Sequence, residues 1–340
     1  MSGRHEATPP RHRIEIENGR SFEVGPEEDT LLRGALRAGV PFAYECSVGG
    51  CGTCRFELLD GEMASLWDEA PGLSERDRRR GKRLACQSRP LGDCRIRIRL
   101  DGGEAPAAQP RRMSATLASR RPISAGMVEL SFAMPQPPAF RPGQYALLFP
   151  AGVPGARAYS MSNLDGDGLW RFIVRKTPSG RGSSALCDHL PVGARVDIDG
   201  PYGHAWLRPA PRDVVCVAGG SGLGPMLSVA RGVLAGDGSR RLHFFLGLRT
   251  EAELDAAAEA DSLDQDRATT TVVLSNPRER SAWHGPRGFV HAEVERSLSA
   301  PLDRFDFYFA GPPPMIEAMQ ELLMVRHRVP FDQIHFDRFV

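Results

Sequence analysis

Three groups of residues in this 340-residue chain have types and spacings that can do chemistry. Cys46, Cys51 and Cys54 follow the spacing C-x4-C-x2-C, and Cys86 stands 32 residues further on. Four thiolates suit either tetrahedral zinc or an iron–sulfur cluster. Structural zinc usually draws on two separated pairs, whereas three of these cysteines share one loop with Gly49, Gly50 and Gly52. Glycines let the backbone wrap a two-iron core closely and aim N–H groups at its sulfurs, so the loop favours [2Fe–2S], with zinc as the competitor. A Rieske centre needs His2Cys2 ligation, and Cys187-Asp188-His189 offers only one such pair, which reads as part of an ordinary helix. Cys94 and Cys216 fall in strand patterns and read as buried thiols.

The other two groups are candidate anion sites. R-A-Y-S occupies 157–160, after R-P-G-Q-Y at 141–145 and before F-I-V-R at 172–175. G-R-G-S at 180–183 then opens the apolar run A-L-C-D-H-L, and a glycine and hydroxyl at a helix start present N–H groups to phosphate. A-G-G-S-G-L-G-P-M, residues 218–226, places Gly220, Ser221, Gly222, Gly224 and Pro225 between the strand D-V-V-C-V and an apolar helix. That context suits a dinucleotide, and the missing P-loop lysine disfavours nucleotide hydrolysis. F-Y-F-A-G-P-P-P-M at 307–315 repeats the arrangement with Gly311, Pro312 and Met315. Both turns should lie at the carboxyl ends of neighbouring strands, the crevice where open sheets bind dinucleotides. In G-L-R-T-E-A-E, 247–253, Arg249 suits a 2′-phosphate while Glu251 and Glu253 suit free ribose hydroxyls; the balance favours NADH.

The elements that must position these groups fall into three blocks. I-E-I-E and S-F-E-V around Asn18-Gly19 read as a hairpin, followed by a helix over 30–39 and strands at R-F-E-L-L and R-I-R-I-R-L. Residues 101–112 are small, polar and Pro/Gly-rich, as in a linker. From 113 to 208, regularly spaced short strands imply an antiparallel barrel, and from 209 to 340 strand–helix alternation implies a parallel sheet. With 43 basic and 42 acidic side chains the net charge is +1, which disfavours nucleic acid and anionic membranes as partners. No run reaches the ~18 apolar residues of a membrane helix, and the N-terminus lacks a signal sequence. A reducing, cytoplasmic setting follows, and seven cysteines, an odd number, argue against a closed disulfide framework.

The run Y-E-C-S-V-G-G-C-G-T-C-R-F-E-L-L-D-G-E, 44–62, with L-A-C-Q at 84–87, resembles a plant-type ferredoxin over residues 12–100. The later motifs resemble the flavin barrel and nucleotide domain of the ferredoxin–NADP reductase superfamily. The likeness implies an α+β (β-grasp) [2Fe–2S] domain, an FAD-binding antiparallel barrel over 113–208 and an NAD-binding α/β domain over 209–340. It puts Arg157 on the flavin phosphates, Tyr159 against the isoalloxazine and Ser160 near flavin N5 as the catalytic pair. Val174 and Arg175 would line the cofactor, and Gly182 and Ser183 would hold the pyrophosphate. Cys46, Cys51, Cys54 and Cys86 would hold the cluster. The usual family form has cysteine before the second Gly-Pro, where this chain has Ala310.

Ferredoxin first and reductase second resembles the reductase components of bacterial multicomponent oxygenases, with the greatest likeness to those of toluene monooxygenases. It extends through D-E-A-P-G-L (68–73), A-E-L-D-A-A (252–257) and V-P-F-D-Q-I-H-F-D-R-F (329–339). The family's C-terminal aromatic at the flavin makes Phe339 or Phe336 a candidate. The implied path runs from NADH to FAD, to [2Fe–2S], and on to a Rieske ferredoxin or a hydroxylase, in a monomeric protein. A reductase serving a deoxysugar dehydrase or quinone, and a zinc-stabilised nucleotide sensor, are the alternatives. The basic run R-D-R-R-R-G-K-R, 76–83, reads as a solvated helix face rather than a dock for an acidic partner.

Overall fold

The computed structural model describes residues 11–100, 108–278 and 281–339, so positions 101–107 of the expected linker lie outside the described residues. It divides into two compact units, Met1–Pro110 and Arg111–Val340. The first begins with the hairpin β1 (His12–Ile16) and β2 (Ser21–Val24), whose alternation buries Ile14, Ile16, Phe22 and Val24 and turns the charged residues outward. Thr30 caps helix α1 (Leu31–Arg37), which buries Leu31, Leu32 and Ala35. Then follow β3 (Arg55–Asp60), β4 (Met63–Ser65), α2 (Glu75–Arg79), β5 (Lys82–Leu84), β6 (Ser88–Pro90) and β7 (Cys94–Ile98). The sheet order is β2-β1-β7-β3-β5, with β1 and β7 parallel and the other pairs antiparallel; β4 and β6 pair separately. This is the mixed β-grasp sheet that the sequence implies.

The second unit opens with β8 (Arg111–Ser124), which starts slightly before the expected barrel boundary. The barrel adds β9 (Met127–Ala133), β10 (Tyr145–Phe149), β11 (Arg157–Ser160), β12 (Leu169–Arg175), the short α3 (Arg181–Ser184) and β13 (Arg195–Tyr202). Its order is β11-β10-β13-β8-β9-β12, and a Met161–Phe172 bridge joins the two edges. Trp170, Phe132 and Phe172 fill the interior, and Phe140 meets Trp170 edge to face. Cys187 and His189 sit in a π turn, Ala185–His189, rather than the ordinary helix the sequence suggests.

A parallel sheet completes the second unit: β14 (Asp213–Gly219), α4 (Leu223–Leu234), β15 (Leu242–Leu248), α5 (Ala257–Asp261), β16 (Ala268–Leu274), α6 (Val290–Ser297), β17 (Phe305–Gly311), α7 (Pro313–Gln320) and β18 (Ile334–Arg338). All neighbours in the order β16-β15-β14-β17-β18 are parallel. Val214, Cys216 and Ala218 face one core and Val215 and Val217 the other, so both faces of β14 are covered. A 3-10 stretch, Glu251–Ala256, precedes α5, and the Glu253 carboxylate turns back to accept the Arg249 N–H at 2.7 Å. Among the described residues no helix is long and apolar enough to cross a membrane.

Candidate functional site

In the first unit the loop between α1 and β3 gathers the four cysteines in two pairs. Cys54 and Cys86 are buried with their sulfurs 3.4 Å apart. Cys46 Sγ accepts the Cys51 N–H at 3.3 Å, and Cys51 Sγ accepts the Thr53 N–H at 3.5 Å. Within each pair the thiol–thiol hydrogen bond favours ionisation of one partner: Cys51 is drawn down to about 5 and Cys54 is lowered, while Cys46 and Cys86 are raised. Two pairs match a core of two irons with two thiolates each, and among the described residues no group of three or more ligating side chains converges on a single ion. Backbone N–H groups already aim at two of the sulfurs, so this donor set fits [2Fe–2S].

The loop is held by features beyond its cysteines. Ser47, Gly49 and Gly52 all take positive φ. A Cβ on Gly52 would lie 2.3 Å from the Gly72 carbonyl oxygen, and the Gly72 N–H donates to Gly49 O at 2.9 Å. Residues 68–73 thus brace the loop, which gives the D-E-A-P-G-L resemblance a physical basis. Arg33 of α1, 3% exposed and paired with Asp29 at 2.6 Å, donates to Ser47 O at 3.5 Å. It brings a buried positive charge to the cysteines. The sequence reading missed Arg33; its only signal was the Asp29–Arg33 i, i+4 spacing. The basic run is partly neutralised, with Arg79 on Glu75 at 2.6 Å and Asp77 held low by Ser74 and Arg55. The other thiols, Cys94, Cys187 and Cys216, are buried, and burial raises each.

In the second unit two turns meet where the strand order reverses between β14 and β17. A Cβ on Gly222 would fall 1.9 Å from Ala310 O, and one on Gly219 would fall 2.6 Å from Met315 Sδ and 3.0 Å from Pro312 Cδ. The turn at 219–222 and the turn at 310–315 therefore pack backbone to backbone at the start of α4. From the barrel, the ends of β11 and β12 reach the same place. A Cβ on Gly224 would sit 3.7 Å from Ser160 O and 3.6 Å from Ile173 Cβ, and one on Gly220 would sit 2.5 Å from Arg175 Nη1. Val174, between those two β12 residues, is fully buried in the barrel core.

Arg157, Gly182 and Ser183 form a neighbouring group, since a Gly182 Cβ would lie 2.9 Å from Arg157 Cγ. The Ser183 hydroxyl donates to Gly180 O at 3.1 Å and accepts the Thr177 N–H at 3.1 Å. Tyr159 packs on the barrel core, and burial pushes its phenol up to about 12. The Phe339 N–H donates to Gly311 O at 3.2 Å, and its ring joins the core face that holds Ile173 and Leu223. Phe336 instead stacks on Phe309 at 5.3 Å in the opposite core, so it is not the crevice aromatic. Arg249 is exposed at the end of β15, and Glu253 turns away from a ribose to pair with Arg175. Behind the crevice, Ser228 Oγ donates to Asn163 O at 2.8 Å and Arg231 Nη1 to Ser162 O at 2.7 Å, tying α4 to the segment after β11.

Models of three domain families match the chain: a 2Fe-2S iron-sulfur cluster binding domain over 14–91, an oxidoreductase FAD-binding domain over 114–206 and an oxidoreductase NAD-binding domain over 216–321. The chain is 38% identical to the ferredoxin–NAD(P)+ reductase CarAd of Metapseudomonas resinovorans, covering 91% of this chain and 94% of that protein. It is 37% identical to the ferredoxin–NAD+ reductase component of the alkene monooxygenase system of Xanthobacter autotrophicus, covering 96% and 100%. The chain belongs to the reductase components of multicomponent oxygenases. A solved ferredoxin reductase in carbazole 1,9a-dioxygenase superposes on it with a TM-score of 0.89 at 35% identity, covering 97% of this chain and 99% of the other. This reductase accordingly carries [2Fe–2S], FAD and NAD-binding domains and passes electrons from reduced nicotinamide dinucleotide to an oxygenase system.

Proposed function

We propose that the reductase uses NADH and hands single electrons from its cluster to a Rieske-type ferredoxin or directly to the hydroxylase of a monooxygenase, as a monomeric, cytoplasmic protein. The observation that carries the reading is the convergence of Ser160 and Arg175 of the flavin strands on Gly224 and Gly220 of the dinucleotide turn. The chemistry these residues would hold in place is two-electron hydride acceptance by FAD and one-electron carriage by a [2Fe–2S] cluster. The chain's own residues bind and orient. Arg157, Gly182 and Ser183 hold the flavin phosphates. Tyr159 and Ser160 would abut the isoalloxazine, Arg175 would line it and Phe339 would cover it from the Gly311 side, whereas Val174, expected to line the cofactor, is fully buried in the barrel core and supports β12 from inside. Gly220, Ser221, Gly222, Gly224 and Pro225, with Gly311, Pro312 and Met315 opposite, receive the dinucleotide, and exposed Arg249 borders its adenosine ribose. Cys46, Cys51, Cys54 and Cys86 hold the cluster.

The NADH preference rests on Glu251, whose carboxylate would place negative charge near the end of β15, where a 2′-phosphate would lie, since Glu253 is engaged by Arg175. Anaerobic rapid mixing with NADH tests the whole path: flavin absorbance bleaches first and cluster absorbance follows. A higher kcat/KM for NADPH than for NADH overturns the nucleotide assignment. Failure to reduce any added Rieske ferredoxin or hydroxylase from the chain's own operon overturns the acceptor assignment.

A further inference from the structure

We infer that Asp306 is a positioning residue for hydride transfer: by holding Arg212 and Arg240 it locks the connecting segment 203–212 and so fixes the barrel against the parallel sheet. The inference rests on the reading that hydride crosses from the dinucleotide turn to the flavin strands. Asp306 is the second residue of β17, at the end of that strand away from Gly311, and it is 1% exposed. One of its carboxylate oxygens accepts Arg212 Nε at 2.7 Å and the other accepts Arg240 Nη2 at 2.7 Å. A carboxylate buried so fully is held only when paired and hydrogen-bonded, and here it answers two guanidiniums. Arg240 turns its remaining donors on the connecting segment, Nε to Arg212 O at 2.5 Å and Nη1 to Arg208 O at 3.1 Å. The Arg208 N–H in turn donates to the Tyr308 hydroxyl of β17 at 2.8 Å.

The same segment is fastened to the barrel. The Leu207 N–H donates to Pro142 O at 2.8 Å, and the guanidiniums of Arg141 and Arg208 both lie over the Trp206 ring, 3.8 and 3.3 Å from its centre. A Cβ on Gly143 would stand 2.5 Å from Ala205 O, and one on Gly232 of α4 would stand 2.9 Å from Leu207 Cδ2 and from Pro142 Cγ. Barrel loop, connecting segment and helix therefore meet with no room for a methyl group. The crevice contacts of Gly224 with Ser160 and Ile173 lie across this same boundary between barrel and sheet. Hydride transfer is steep in distance, and a misplacement of about 1 Å can cost on the order of 10²-fold. Removing the Asp306 charge leaves two guanidiniums unanswered, a far larger disturbance than loss of an exposed ion pair. The boundary then samples wider settings while every group that receives the dinucleotide stays in place. The signature is a slower limiting rate at unchanged NADH affinity.

The test is anaerobic stopped-flow reduction of the FAD- and cluster-loaded protein by NADH, and by NADH deuterated at the transferred position, over a range of temperatures. Wild type, Asp306→Asn, Arg240→Gln, the double variant D306N/R240Q and Leu302→Ala are compared. D306N should lower the limiting rate of flavin reduction about tenfold and keep the half-saturating NADH concentration within about twofold. Its isotope effect should depend more steeply on temperature, because the donor–acceptor distance is no longer fixed. R240Q should show the same signature, and D306N/R240Q should be no slower than the slower single variant, as members of one network require. Leu302 is a buried core residue beside β17, so L302A should lower the melting temperature, as D306N does, without slowing reduction. Flavin absorbance confirms retained FAD, and R240Q carries the comparison if D306N loses it. A wild-type limiting rate in D306N and R240Q, a loss confined to NADH affinity, additive effects in the double variant, or equal slowing in L302A overturns the inference. A wild-type flavin that NADH does not reduce brings down the hydride route itself.

Discussion

Adding one methyl group at Gly222 should disconnect nucleotide from flavin while leaving both domains folded. Gly222 has φ −59° and ψ −11°, which any residue adopts, so alanine carries no backbone penalty there. The obstacle is steric: the new Cβ would stand 1.9 Å from Ala310 O and 2.4 Å from its carbonyl carbon, where real contacts begin at 3.0 Å. The 219–222 turn and the 310–311 backbone must part by about 1.1 Å, and neither yields easily because both end buried central strands. A shift of about 1 Å in a positioning element can cost on the order of 10²-fold in rate. Overpacking of this kind also destabilises by roughly 1–3 kcal/mol. Stopped-flow reduction of the flavin by NADH in Gly222→Ala should therefore slow by about 100-fold, with FAD content unchanged. A variant that reduces its flavin at the wild-type rate would falsify the claim that these two turns must touch to place the dinucleotide.

Cys86→Ser should abolish the iron–sulfur absorbance and transfer to protein acceptors while NADH-to-ferricyanide activity through the flavin persists, since the cysteines and the crevice lie in separate units; loss of both activities would contradict that division. Arg33→Met should move the cluster midpoint negative by roughly 60 mV, the one-electron equivalent of a tenfold change, because a buried cation leaves and Asp29 stays; spectroelectrochemistry showing no shift would remove its electrostatic role. His335, pressed on Tyr308 at 4.7 Å, is held down to about 4 chiefly by burial, with Arg208 adding repulsion. Folded His335 therefore binds fewer protons than unfolded His335 between its ordinary 6.5 and about 4, so stability should drain as pH falls through that window. Melting curves for wild type and His335→Gln from pH 7.5 to 4.5 check this, and identical pH slopes would count against it.

Much of this molecule was legible from spacing. The C-x4-C-x2-C run and Cys86 name four residues that the fold brings together, because a ligand set leaves its geometry in the chain as short, glycine-marked intervals. The strand–glycine–helix patterns at 213–234 and 305–320 likewise place two turns on one sheet edge, since parallel connections leave few topologies. What stayed hidden depends on side chains meeting across long sequence separations. Nothing local to Arg175 announces that its guanidinium reaches Gly220, nor that Glu253, 78 residues on, will pair with it. Gly72 reads as an ordinary loop glycine until its carbonyl is found against Gly52. Phe336 and Phe339 share one short tail, and only strand pairing decides that the first stacks on Phe309 while the second reaches Gly311.

The two hydrogen bonds from α4 to the segment after β11 bear on how such chains are shuffled. A gene cut near residue 209 and rejoined to another barrel would strand Ser228 and Arg231, whose partners are the main-chain carbonyls of Asn163 and Ser162. It would also have to refit Ser160 and Ile173 against Gly224. Chimeras between relatives should therefore inherit the flavin and dinucleotide halves as one indivisible piece.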